Sequence, residues 1–317
     1  VISFRYHIVS IVSVFLALAV GVALGGGPLK GEVDNTLVEQ VETDRRVKAE
    51  LQDEIAGLRN GNRFTDEFAA TVAPGLLANS LTRRTVTVMV LPSAKQADVT
   101  AVSDLVAVAG GTVGSTLRVG EELVDAGNKQ LVDELGTQLL DDAPGVDVAD
   151  DASGYERIGT LLARAIGTDD DAGADLDDVS SAIIAGLSAA SLLSPEGEPE
   201  RRGSLVVLVA GAGTGASTEE QQGANTIIVS LATAIDADTD GVVLAGPVAS
   251  ARDDGPIGAL RQDVSAAREV STVDSLDRVA GQVVAVLALA GQVRDQTGHY
   301  GSVDAADGAL PGAVPAD

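Results

Sequence analysis

From Ile8 to Leu24 the chain reads IVSIVSVFLALAVGVAL, an apolar run with no charge and nothing more polar than Ser10 and Ser13. With Gly25, Gly26 and Gly27 it reaches about 20 residues, the helical length that crosses a hydrocarbon core of about 30 Å. Arg5, Tyr6 and His7 precede the run, and Lys30, Glu32 and Asp34 follow it. The short positive flank stands at the N-terminus, which predicts an N-terminus in the cytoplasm and the bulk of the chain outside. A membrane anchor over residues 1–29 is the favoured reading. A cleaved signal peptide competes, because Ala17-Leu18-Ala19 resembles a small-x-small cleavage site. A buried core helix competes less well, since an acidic amphipathic stretch follows directly.

That stretch, Val33 to Leu58, places apolar side chains at helical spacing. Leu37, Leu51 and Leu58 share one heptad position, Val41 and Ile55 share the other seam position, and Asp44 and Lys48 interrupt the seam. Polar seam residues weaken a coiled coil but set its register and strand number. Residues 30–63 are expected to form a coiled-coil stalk that makes the protein a homo-oligomer. The alternative is one amphipathic helix lying on its own globular domain.

Beyond a breaker expected at Ala73-Pro74-Gly75, apolar strands alternate with helices. Strands are predicted at Thr85–Leu91, Val113–Val119, Leu205–Ala210, Gly241–Ala245 and Glu269–Thr272. Helices are predicted at Ala97–Ala109, Glu121–Leu140, Glu219–Ile235, Ile257–Ala267 and Ser275–Val293. This alternation predicts an α/β domain over residues 64–295, a doubly wound, flavodoxin-like and mostly parallel sheet with helices on both faces. Hydrophobic residues are 45% of the chain and aromatics only 2%, so the core must be aliphatic, as parallel sheets prefer. The same scarcity of aromatics suits carbohydrate binding and base stacking poorly.

Between the two halves, residues 141–200 form an acidic stretch with helical patterns at Tyr155–Ile166 and Asp178–Leu193. It is expected to be an all-helical insertion joined by polar linkers such as Ser194-Pro195-Glu196-Gly197. Residues 296–317, rich in Gly, Pro, Ala and Asp, are expected to be a disordered tail.

Chemistry-bearing motifs are scarce. The formal net charge of −26 repels nucleic acid and chiefly favours solubility. The chain has no cysteine, so disulfides, thiolate metal sites and cysteine nucleophiles are excluded. Gly211, Gly213 and Gly215 lie between a strand and a helix, the right context for cradling a phosphate. The loop lacks the dinucleotide pattern and a following Lys-Ser/Thr, so a tight turn is the favoured reading. Gly246-Pro247 is likewise a turn first. The run Asp169-Asp170-Asp171-Ala172-Gly173-Ala174-Asp175-Leu176-Asp177-Asp178 offers oxygen ligands for calcium, but glycine misses the position an EF-hand turn needs. A solvated loop capping the next helix is favoured. His7 and His299 belong to no cluster, and Met89, the single methionine, is expected in the core. No active site, cofactor or dedicated copper(I) site is read from these residues.

The opening VISFRYHIVSIVSVFLALAVGVALGGGPL, Val1 to Leu29, resembles the start of the MctB family of actinobacterial copper transport proteins. So does Ser271-Thr272-Val273-Asp274 leading into GQVVAVLALAGQ, Gly281 to Gln292. The resemblance implies a non-enzymatic role in copper efflux or homeostasis across the cell envelope, with copper ions as partner and an outer-membrane pore as one form. It supplies no metal-binding residues. The buried, uniformly apolar strands do not fit a classical outer-membrane barrel, whose strands alternate apolar and polar. A pore would have to be assembled from several N-terminal helices. The alternative function is a tethered, non-catalytic scaffold engaging another envelope protein. A third reading, enzymatic, would place a nucleotide or phosphate at Gly211–Gly215.

Overall fold

The computed structural model describes residues 4–25, 29–149, 151–213 and 217–312. The chain divides into two compact units, Val1–Phe64 and Thr65–Asp317. The first holds helix α1 (Phe4–Gly25) and the larger part of α2 (Leu29–Leu77). No residue of α1 is buried. Val41, Leu51, Ile55 and Leu58 of α2 are also exposed, while the side chain of Leu37 lies outside the described residues.

Helix α2 does not stop at Ala73-Pro74-Gly75, as expected, but carries Pro74 inside it and ends at Leu77. An interior proline costs a helix about 3 kcal/mol or more. Here Ala73 and Leu77 are buried in the core of the second unit, and Arg278 grips Asp66 at 2.8 Å, so tertiary packing outweighs the local preference.

In chain order the second unit continues through β1 (Thr85–Val90), α3 (Gln96–Val108), β2 (Thr112–Val119), α4 (Glu121–Val124) and α5 (Lys129–Asp141). Then come α6 (Gly154–Ile166), β3 (Ala174–Asp175), α7 (Asp178–Ala189), β4 (Leu193–Pro195), β5 (Arg201–Arg202) and β6 (Leu205–Val209). The last elements are α8 (Thr218–Asp236), β7 (Val242–Ala245), α9 (Pro256–Gln262), α10 (Ala266–Glu269), β8 (Ser271–Val273), α11 (Val279–Gln292) and β9 (His299–Tyr300).

Among the described residues the main sheet has seven strands in the order β4-β2-β1-β6-β7-β8-β9. Every neighbouring pair is parallel except β2 with β4. The aliphatic runs make this possible because a parallel strand buries both faces. Val86, Val88 and Val90 of β1, with Leu205, Val207 and Val209 of β6, face a core completed by α3, α11 and the end of α2. Met89 and Leu91, with Val206 and Leu208, face the opposite core, built on α6, α8 and α9. Met89 is therefore core, fully buried in β1.

Four other expectations are corrected. The single helix expected at Glu121–Leu140 breaks into α4, a 3₁₀ turn at Ala126–Asn128 and α5, because the Asp125 side chain accepts from the Gly127 amide at 2.8 Å. Residues 141–200 are not all helical: Ser194-Pro195 lies in β4, the antiparallel edge of the main sheet, and β3 pairs with β5. Helix α6 from the same stretch packs into the core through Ile158, Leu161 and Leu162. The helix expected from Ser275 starts only at Val279. The tail is not disordered over its described part, since His299 and Tyr300 form β9 beside β8 and Tyr300 is buried. Pattern reading missed β9 because two residues carry no periodicity.

Candidate functional site

Helix α1 has 22 residues and a mean hydropathy of 2.6 over its most apolar window. At 1.5 Å per residue it is about 33 Å long, enough to cross a hydrocarbon core. Phe4, Ile11, Val14, Phe15, Leu18, Val22 and Leu24 are all exposed, unlike the side chains of a soluble core helix. The Ser13 hydroxyl donates to the Val9 carbonyl at 2.8 Å, so its polarity is satisfied within the helix. By length and composition α1 suits a hydrocarbon environment.

In the described part of the loop after β6, Gly211 and Gly213 lie close against other groups. A Cβ on Gly211 would run into the backbone of Ser93, and one on Gly213 would lie 2.7 Å from the Gln221 amide oxygen. Gly215 lies outside the described residues. Gly246, after β7, packs on Ser250 and Ala210.

The acidic run is drawn apart by arginines. Asp171 pairs with Arg84 at 2.8 Å, Asp175 faces Arg201 at 3.7 Å, and Asp170 accepts from the Ala172 amide at 3.0 Å. Asp177 caps α7 by accepting from the Ser180 amide at 2.7 Å and pairs with Arg164 at 2.6 Å. Desolvation opposes the charge of Asp177, but these bonds outweigh it and hold its carboxyl well below the ordinary value. The capping role expected near Asp177 is what the structure has. Among the described residues, no three His, Asp or Glu side chains gather as a metal ion would need.

His7 is exposed on α1, and His299 sits in β9. His299 Nε2 faces the Ala267 carbonyl at 3.0 Å and Nδ1 faces the Thr272 hydroxyl at 2.9 Å, so neither nitrogen is open to a metal. Nε2 must carry the proton, leaving Nδ1 to accept from Thr272. Burial, and then Arg261, push this imidazole below its ordinary pKa, so it is held neutral. Asp274, which closes the Ser271–Asp274 segment, is the polar residue that sequence reading left without a role. It is fully buried and ties the C-terminal residues to Arg261. Its signal was a carboxylate directly after a short strand, Ser271-Thr272-Val273.

A family model described as "Copper transport outer membrane protein, MctB" matches residues 1–311. The chain belongs to the MctB family. Among curated members, it is 28% identical to copper transporter MctB of Mycobacterium tuberculosis (strain ATCC 25618 / H37Rv) over 321 residues. That alignment covers 95% of this chain and 96% of the relative. Copper transporter MctB of Mycobacterium leprae (strain TN) is 28% identical over 340 residues, 99% of each chain. Both features behind the resemblance, the N-terminal apolar helix and the Ser271–Asp274 segment, lie inside the MctB match.

Proposed function

We propose that this protein is held in the membrane of a cell envelope by α1 and contributes, without catalysis, to copper efflux and homeostasis. The observation that carries the reading is a match to a copper-transport family across nearly the whole chain, α1 included. The orientation follows from Arg5 ahead of α1 and places the α/β domain outside the cytoplasm. The membrane itself is the outer one if the family description applies. Residues 1–29 then serve as anchor and residues 30–63 as a coiled-coil stalk. The exposed Leu51, Ile55 and Leu58 support that stalk, and Asp44 and Lys48 would set the register of a homo-oligomer. The strand order β2-β1-β6-β7-β8 supports a flavodoxin-like arrangement, 2-1-3-4-5 when only those strands are counted.

Copper is cargo in this reading. With no cysteine and one buried methionine, the chain offers no soft ligand set, which favours transient carboxylate contacts or an indirect role. A pore would be lined by several copies of α1. The second reading, a tethered scaffold engaging another envelope protein, is favoured by the close packing of Gly211 on Ser93 and of Gly246 on Ser250 after the strands β6 and β7.

The test is complementation of a strain lacking this gene on copper-containing medium. Full-length protein should restore growth, and a chain lacking residues 1–29 should not. Unchanged copper tolerance in the deletion strain would refute the copper role. Purified full-length protein in planar bilayers separates the two forms: discrete channels lost on truncation favour the pore. A membrane-inserted oligomer without conductance favours the scaffold.

A further inference from the structure

The seam residues of α2 alternate steps of three and four. Val41 to Asp44, Lys48 to Leu51 and Ile55 to Leu58 are the short steps. In a heptad the short step runs from a to d. The a positions are therefore Val41, Lys48, Ile55 and Asn62, and the d positions are Asp44, Leu51 and Leu58. Val41, Leu51, Ile55 and Leu58 are all exposed, along a stripe about 25 Å long at 1.5 Å per residue. β-Branched side chains at a with leucine at d favour two parallel strands over three or four. Among the described residues, Asp44, Lys48, Glu54 and Arg59 make no ion pair within the chain.

A second copy of the helix supplies partners for these charges. In a parallel, in-register pair, each d side chain enters a hole bounded by four residues of the facing helix. For Asp44 those four are Val41, Asp44, Arg45 and Lys48 of the second copy. Each Asp44 carboxylate then meets a lysine and an arginine across the seam, which offset the two acids of that layer. One heptad of slip would instead set one Asp44 opposite Leu51 and one Lys48 opposite Ile55. On the flank, Glu54 at g reaches Arg59 at e of the second copy, an opposite-charge pair. The e positions Arg45, Gln52 and Arg59 hold no acid, so an antiparallel pair, which faces e with e, gains no ion pair there. We propose that α2 pairs with a second copy of this chain as a parallel, in-register, two-stranded coiled coil locked by Asp44 to Lys48 across the seam. This pairing rests on residues 30–63 serving as a stalk, and adds strand number, direction and register to it. So short a seam is weak between free helices, and α1 in a shared membrane raises the effective concentration of one stalk for the other.

The chain has no cysteine, so each single-cysteine variant carries one thiol. Full-length Leu51→Cys, Leu58→Cys and Asp53→Cys are reconstituted in phosphatidylcholine vesicles, oxidised with iodine and run on non-reducing gels. Leu51→Cys and Leu58→Cys are both expected to link to completion as dimers, while Asp53→Cys, at the outer f position, stays unlinked. Self-linking at two d positions requires parallel, in-register helices, and a three-stranded bundle always leaves one thiol unlinked. The double variant Leu51→Cys/Leu58→Cys is expected to stop at dimers. Adding Lys48→Glu to Leu51→Cys should slow linking about tenfold, because it sets like charges across the seam. Adding the swap Asp44→Lys/Lys48→Glu should restore the rate. Bands beyond the dimer, incomplete linking, failure of Leu58→Cys alone, equal linking of Asp53→Cys, or a swap no faster than Lys48→Glu would each overturn the pairing. Any of these leaves the stalk reading standing, whereas no linking at either d position would overturn the stalk as well.

Discussion

The Asp274 carboxylate, fully buried at the end of β8, lies 2.9 Å from Arg261 Nη1 at the end of α9. Around this pair the C-terminal segment is tied down. Asp274 accepts from the Ser302 and Val303 amides at 2.7 and 3.1 Å, and Arg261 donates to the Tyr300 carbonyl at 3.0 Å. Gly301, at φ 138°, brings its backbone against the Asp274 carboxylate where a Cβ would clash. Asp274 accepts four hydrogen bonds and Arg261 donates four, so the charges are well partnered, the condition under which a buried ion pair is tolerated.

Breaking the pair from one side should therefore be severe. Asp274→Ala and Arg261→Met are each expected to destabilise the α/β domain by about 3–5 kcal/mol, because each leaves a buried charge unpaired. The double variant should lose less than the sum of the two. Urea denaturation of the four proteins checks this, and strictly additive losses would refute the coupling.

The C-terminal residues are expected to matter for stability rather than hang free. Ending the chain at Asp295 removes β9 and the partners of Arg261, and should lower the unfolding midpoint. Tyr300→Ala alone should cost about 3 kcal/mol, since the ring is buried against the core of α3 and α11. A truncated chain as stable as the full one would overturn the placement of β9.

Two partly buried groups predict opposite pH slopes. Burial raises the Asp236 carboxyl from 3.8 to about 7, despite an amide bond from Val242 that favours the charge. The folded state then binds more protons than the unfolded chain between about 4 and 7, so stability falls as pH rises through that window. Asp236→Asn should flatten this limb and stabilise the protein above pH 7. The depressed His299 works the other way: its neutral form suits the fold above 6.5, and stability is lost as pH falls below that value. Thermal midpoints of wild type, Asp236→Asn and His299→Gln across pH 4–8 separate the two. Absence of the falling limb in wild type, or its persistence in Asp236→Asn, would refute the Asp236 assignment.

At the glycine loop, Gly211→Ala should destabilise by about 1–3 kcal/mol through overpacking against Ser93. Adding ATP or inorganic phosphate to wild type should leave the thermal midpoint unchanged. A rise on adding nucleotide would revive the phosphate reading of Gly211 and Gly213.

Much of the architecture was legible because its signals are local. The mostly apolar, β-branched runs near Thr85–Leu91, Leu205–Ala210 and Gly241–Ala245 became β1, β6 and β7 within a residue or two of their expected bounds. A strand buried on both faces must be mostly apolar, with any hydroxyl bonded as Thr87 is to the Ile166 carbonyl, so its composition announces it. Strands β4 and β9 are three and two residues long, and only pairing with a neighbour makes them strands. Pro74 misled for the same reason in reverse, since its local preference lost to the burial of Ala73 and Leu77. Gly211 was legible only as a residue between a strand and a helix. Asp274 acquires its role only beside Arg261, which stands 13 residues before it in the chain.

By itself, the sequence determined an apolar helix of membrane-crossing length, an aliphatic parallel sheet, and the absence of thiol chemistry. Each depends on which residues stand next to one another along the chain. Only the tertiary structure decided that the acidic run is partnered by arginines, that Gly211 packs against Ser93, and that the C-terminal residues complete the sheet. Those outcomes depend on groups distant in sequence meeting within a few ångströms, where desolvation and hydrogen bonding, rather than local propensity, set the energy.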